Sequence, residues 1–164
     1  MQSVLKIAIY IVFGILPSLA WLSYYLRKDF HPEPKKMILR VFFFGVLVTI
    51  PVFILQVSLS ELLNMVKASG ILDGYSGIAD ILKWFVVIAL TEELLKFLVV
   101  KFAVLHNGEL DEPLDIMLYM VVTALGFAAL ENILYLVSPI DDITLNELLR
   151  STLTISFIRF IGAT

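Results

Sequence analysis

Cysteine is absent from all 164 residues, which excludes a disulfide framework, a thiol nucleophile and a thiolate metal site. Histidine is scarce, with two residues, His31 and His106, so acid–base or metal chemistry must draw mainly on carboxylates and hydroxyl groups. Charge is thin as well: 16% of residues are charged and 60% hydrophobic, where soluble domains average about 25% and about 45–50%. With a mean hydropathy of +0.95, the chain falls in the membrane class before any motif is read. A net charge of -3 offers no basic surface, so no nucleic-acid partner is expected. The apolar run over residues 7–26 is too long for the core of a cleavable signal and lacks a small-x-small exit.

What is present is a succession of long apolar segments. Hydropathy predicts four full membrane spans, at residues 4–26, 37–59, 81–105 and 114–137. Each is far longer than a buried strand, so the expected fold is an all-α, polytopic membrane helix bundle. Pro17 predicts a kink in the first span. A fifth apolar segment begins near Leu149 and is still apolar at Thr164. From Ser151 to Thr164 it extends roughly 21 Å, against a hydrocarbon core of about 30 Å. A helix ending in mid-membrane leaves its last carbonyls without partners, so a truncated fifth helix and a longer parent protein are expected. The alternative is a shallow end at a protein-lined cavity. Residues 1–164 are read as one membrane-embedded domain, incomplete at its C-terminus.

Loop charges predict orientation. The first connection holds Arg27, Lys28, Lys35 and Lys36, with Arg40 just inside the next helix. The second has Lys67 beside Glu61, Asp73 and Asp80, and the fourth carries Asp141 and Asp142 with no base before Arg150. By the positive-inside rule the first loop is cytoplasmic and the N-terminus lies outside. Residues 59–66 and 142–149 have short amphipathic patterns that fit surface-lying helices.

The anomaly is a pair of adjacent glutamates, Glu92 and Glu93, inside the third apolar segment with Lys96 one turn on. A charge at membrane depth costs about 2.5–3.5 kcal/mol on translocon scales and is expected to face a protein interior or a wet cavity. Glu92 and Lys96 stand i,i+4 and could form a structural ion pair; that reading leaves Glu93 without a partner. Counted inward from the outer face, Glu92 and Glu93 lie about 16 and about 18 Å deep, Glu131 about 9 Å and Arg159 about 13 Å. Four charged groups on three helices thus fall in one outer-leaflet layer. On the fourth segment Asp115, Tyr119, Thr123, Gly126, Phe127 and Glu131 follow one face. Small residues there permit close helix packing, which needs no carboxylate, so Glu131 stands out. Asn132 fits either a bond across helices or the orientation of Glu131. Asp115 fits a first-turn dipole partner at the far end.

Burial and a like-charged neighbour both favour the protonated form of a carboxylic acid, and a close pair can divide into an acid and a base. Such a set can activate water, with Lys96 keeping one glutamate anionic and Arg159 balancing Glu131 or stabilising an oxyanion. Converging carboxylates could equally bind a divalent metal or relay protons.

Glu92-Glu93-x-x-Lys96 followed by Gly126-Phe127-Ala128-x-x-Glu131-Asn132 resembles the PrsW family of bacterial intramembrane proteases. That family is similar to the wider CAAX-protease and bacteriocin-processing group, in which histidine stands at the position of Glu131. The loop Arg27-Lys28-Asp29-Phe30-His31-Pro32-Glu33-Pro34 is similar too, and the resemblance runs from Asp29 to Arg159. The family has a further histidine shortly after the position of Arg159, and this sequence reaches Thr164 without one. The resemblance implies cleavage of a single-pass membrane protein near its extracytoplasmic side, of the type that begins destruction of an anti-sigma factor under envelope stress. It implies that Glu92 or Glu93 activates water, with Glu131 orienting or stabilising and Lys96, Phe127, Asn132 and Arg159 supporting. It implies residence in the bacterial cell membrane. Relatives of this type are regarded both as metal-dependent and as glutamate-dependent; with no histidine inside the membrane, a metal-free site is expected here and zinc is the alternative. The rival readings are a transporter or ion-binding subunit, or a scaffold that binds membrane helices without cutting them.

Overall fold

The computed structural model describes residues 2–28, 33–71, 76–105 and 113–137, together with positions 150, 153, 154 and 157. Among the described residues the regular structure is entirely helical. Helix α1 spans Gln2–Lys28, α2 Lys35–Ala68, α3 Ser76–Ile81, α4 Thr91–Ala103 and α5 Pro113–Val137, with a nine-residue π-helical stretch, Leu82–Leu90, joining α3 to α4. Three of these helices, α1, α2 and α5, are long and apolar enough to cross a membrane. Large apolar side chains cover the outside, among them Phe53, Phe85, Phe102 and Leu114, each at least 60% exposed. A soluble protein rarely presents so much contiguous apolar surface, whereas lipid accommodates it.

The third apolar segment is one unbroken helical path with a change of pitch. α3, the π stretch and α4 follow without a break, and the path ends where the Val104 and Leu105 amides both reach the Val100 carbonyl, at 2.9 and 3.3 Å. None of the three pieces is long enough to span a bilayer alone. π-Helical turns are rare and cluster at functional sites; this one ends two residues before Glu92. The Thr91 hydroxyl closes it by donating to the carbonyls of Val87 and Ile88, at 2.5 and 2.9 Å.

α2 runs well past the expected end of the second span. At 34 residues it extends about 51 Å and includes residues 59–66, which form its continuation rather than a separate surface helix. No Gly or Pro interrupts it after Pro51 until Gly70, whose φ of 79° lets the chain turn out of the helix. There the amides of Ser69 and Gly70 bond the carbonyls of Met65 and Lys67, at 3.0 and 3.2 Å. Pro17 and Pro51 both stand inside continuous helices; each removes one i→i−4 hydrogen bond, a loss that membrane helices tolerate.

α5 is the spine of the bundle, packed against α2, α1 and α4. Its register follows from long-range contacts. Tyr119 near its start meets Glu33 before α2, and Phe127 to Tyr135 meet residues 49–56, so α2 and α5 run the same way. Lys96 meets Phe127 while Val100 and Val104 meet Tyr119 and Val122, so α4 runs against α5. α1 also runs against it: Asn132 bonds the Gly14 carbonyl and Tyr10 packs on Leu136. α2 and α5 touch backbone to backbone at two glycines. A Cβ at Gly45 would strike the Thr123 carbonyl, and one at Gly126 would strike the Phe42 carbonyl. The apolar core of Met37, Ile38, Val41, Val100, Val104, Tyr119 and Val122 fills one end of the bundle. The other end is left for a cavity.

Arg150, Leu153, Thr154 and Phe157 are helical, with the Thr154 hydroxyl bonding the Arg150 carbonyl at 2.9 Å. Arg159, the expected surface helix over 142–149, His31 and His106 lie outside the described residues.

Candidate functional site

Beyond the close approaches at Gly45 and Gly126, a cavity of about 260 Å³ lies between α2, α5 and α4. Its lining combines apolar Val52, Phe53, Phe127 and Leu134 with Thr49, Gln56, Glu92, Glu131 and Tyr135. On α2, positions 49, 52, 53 and 56 recur at helical spacing, as do 127, 131, 134 and 135 on α5. Each helix therefore contributes one stripe, and the carboxylates come from different helices, Glu92 from α4 and Glu131 from α5.

Glu92 is held on both oxygens. Gln56 Nε2 donates to its Oε1 at 3.1 Å, and Lys96 Nζ approaches its Oε2 at 3.5 Å. Lys96 makes a shorter bond, 2.9 Å, to Glu93 Oε1. Glu93 thus has the same cation as its partner, and the structural ion-pair reading does not leave it alone as the sequence suggested. The two glutamates are still unlike. The Glu92 side chain is 22% exposed and lines the cavity, while that of Glu93 is 66% exposed and does not. The Lys96 side chain is 11% exposed and sits over the Phe127 ring, 4.5 Å from its centroid. A desolvated ammonium over an aromatic face gains about 2 kcal/mol, and two carboxylates satisfy two of its three donors.

Glu131 is half-buried, one turn from Phe127 on the same stripe. Asn132 is buried and its Nδ2 donates to the Gly14 carbonyl at 3.2 Å, which is the cross-helix role. Asp115 is buried in the first turn of α5, at the opposite end from Glu131. There Tyr119 donates to Glu33 Oε2 at 2.7 Å, tying the segment before α2 to α5. Of the seven residues expected at the site, the structure puts Glu92, Phe127 and Glu131 on the cavity wall, with Lys96 against Glu92 and Phe127 and Glu93 beside it on Lys96. It sets Asn132 on the α1 side; Arg159 lies outside the described residues.

Sequence reasoning missed Gln56, Thr49, Phe53 and Tyr135 as cavity residues. Gln56 carried a signal, an amide in an apolar stretch whose burial is costly unless it is bonded; the others carried none. Among the described residues no group of three or more His, Cys, Asp or Glu converges to hold a metal ion. Two of the three candidate carboxylates are instead engaged by one ammonium, so the described donor set does not fit a metal.

The family described as PrsW family intramembrane metalloprotease matches residues 33–164. Curated relatives called Protease PrsW are 40% identical over 126 residues in Geobacillus kaustophilus and 37% over 125 in Oceanobacillus iheyensis. The relative of that name in Bacillus subtilis is 36% identical over 125 residues. Each alignment covers 76% of this chain and 51–53% of the relative, so the chain spans about half the length of the curated relatives it matches. No solved structure matches.

Proposed function

The chain belongs to the PrsW family of intramembrane metalloproteases, and we propose that the Glu92–Glu131 cavity is the hydrolytic centre of a membrane-embedded peptidase. One observation carries the reading: carboxylates from two helices line a single cavity inside an otherwise apolar bundle, and one of them is fixed on both oxygens. Hydrolysis within a membrane needs a polar, water-holding pocket beside a positioned base. In the proposed reaction Glu92 takes a proton from water as the water oxygen bonds the peptide carbonyl carbon. The C–N bond then breaks and that proton passes to the leaving nitrogen, so one water yields an acid and an amine. Glu131 orients the water, and Arg159 balances Glu131 or stabilises the oxyanion. Lys96 keeps the glutamate pair in place, resting on Phe127.

The substrate we propose is a single-pass membrane protein of the anti-sigma-factor type, cut near its extracytoplasmic side. We further propose four membrane spans with a fifth begun near Leu149, one protease domain, and residence in the bacterial cell membrane with the N-terminus outside. A non-catalytic scaffold has one observation in its favour, the engagement of both glutamates in ion pairs with Lys96. Cleavage of a single-pass substrate by the full-length protein in vesicles separates the two. Glu92→Gln should lower the rate by at least about 100-fold with folding intact. Unchanged cleavage in both Glu92→Gln and Glu93→Gln would sink the glutamate mechanism. Chelation tests the metal: loss restored by one divalent ion would assign its ligands to residues outside those described.

A further inference from the structure

Gln56 is an amide where the sequence offers little reason for one. Its neighbours on α2, Phe53, Ile54, Leu55 and Val57, are apolar and 42–60% exposed. An amide in hydrocarbon is costly unless bonded, so the side chain must find a partner within the protein. It finds Glu92, 36 positions later and on another helix, through a 3.1 Å bond. A carboxylate only accepts, so the amide must present its NH₂ group there, and the direction of the bond follows from chemistry. Thr49, on the same stripe, is already satisfied by the Gly45 carbonyl of its own helix at 3.3 Å. Among the described residues Gln56 is thus the donor to Glu92 that comes from outside α4.

That distinction matters because Lys96 alone does not fix Glu92. Lys96 stands on the same helix, bonds Glu93 more closely, and leaves rotation of the Glu92 carboxylate about its last bond free. The terminal torsion of glutamate is broad, and a second donor on the other oxygen defines it. The donor also registers α4 against α2 at the level of the cavity. We propose that Gln56 is a positioning residue that holds the Glu92 carboxylate in the orientation from which it acts on water. This rests on the reading of Glu92 as the base.

The test uses the full-length protein in vesicles with a single-pass substrate, measuring kcat, KM and melting temperature. Gln56→Met keeps length and shape without the donor. It should lower kcat at least about tenfold, since small misplacements of a catalytic group are costly. KM should stay within about twofold and the melting temperature should fall by no more than about 2–4 °C, the worth of one hydrogen bond to a partly exposed carboxylate. Gln56→His keeps an N–H at similar reach and should recover most of the lost kcat. Glu92→Gln serves as the reference for the underlying reading. If it abolishes cleavage while Gln56→Met leaves kcat within about twofold of wild type, positioning by Gln56 is refuted and the base survives. If Glu92→Gln cleaves normally, the base itself is refuted. A fall in kcat matched by a larger fall in melting temperature, with no recovery in Gln56→His, makes Gln56 structural and overturns the proposal.

Discussion

Gly126→Ala should loosen the bundle even though alanine is the better helix former. Replacing an interior helical glycine by alanine gains about 1 kcal/mol where space allows. At Gly126 the new methyl meets the Phe42 carbonyl and lies 3.2 Å from the Val46 amide nitrogen. Both are backbone, so no rotamer change relieves the contact and α2 must move away from α5. A gap of about 0.5–1 Å forfeits a quarter to a half of each dispersion contact. For an interface of roughly 40 atom pairs at about 0.1–0.2 kcal/mol each, the loss is about 1–4 kcal/mol. Less the propensity gain, the net effect is a destabilisation of up to about 3 kcal/mol, the usual scale of overpacking. Gly77→Ala is the control, since nothing lies within 4 Å of its new methyl, and it should gain the propensity term alone. Gly45→Ala should resemble Gly126→Ala, and the double variant should cost less than the sum, because one displacement accommodates both methyls. Reversible unfolding in mixed detergent micelles gives the free energies. Equal stability of Gly126→Ala and Gly77→Ala would refute the backbone contact.

Lys96→Met should destabilise by about 2–3 kcal/mol, less than a fully buried pair because Glu92 and Glu93 keep some exposure; the same unfolding assay measures it. Asn132→Leu removes the bond to Gly14 and should cost about 0.6–1.7 kcal/mol while leaving cleavage near wild type, unlike Glu131→Gln, which should abolish it. Tyr119→Phe loses the hydroxyl bond to Glu33 and should cost about 1 kcal/mol. It should also increase hydrogen exchange of the amides of Met37 and Ile38, which bond the Pro34 carbonyl.

Much of the bundle was legible because lipid simplifies the code: an apolar run of sufficient length must be helical. The α5 stripe could be read from spacing alone, since Asp115, Tyr119, Thr123, Phe127 and Glu131 repeat every four residues. The Glu92–Glu131 convergence came from helix rise and loop charge. The π-helical stretch was not legible, because Leu82–Leu90 holds neither Gly nor Pro and its pitch is decided by what it packs against. The length of α2 was misjudged where hydropathy falls at Ser60, although nothing ends the helix before Gly70. The role of Gln56 was not legible, since a bond to a residue 36 positions away has no local signature.

The bond from Asn132 to the Gly14 carbonyl joins residues 118 positions apart. At about 5–20 residues per second, the ribosome needs roughly 6–24 s to pass from one to the other. Through that interval α1 is in the bilayer without the helix it packs on, and Gly14 waits as an open notch. α1 must persist in lipid on its own hydrophobicity until α5 arrives to dock on it. The bundle therefore closes late, by docking of its central helix, and a ribosome paused before residue 113 would leave the α1 side of the protein open to other membrane helices.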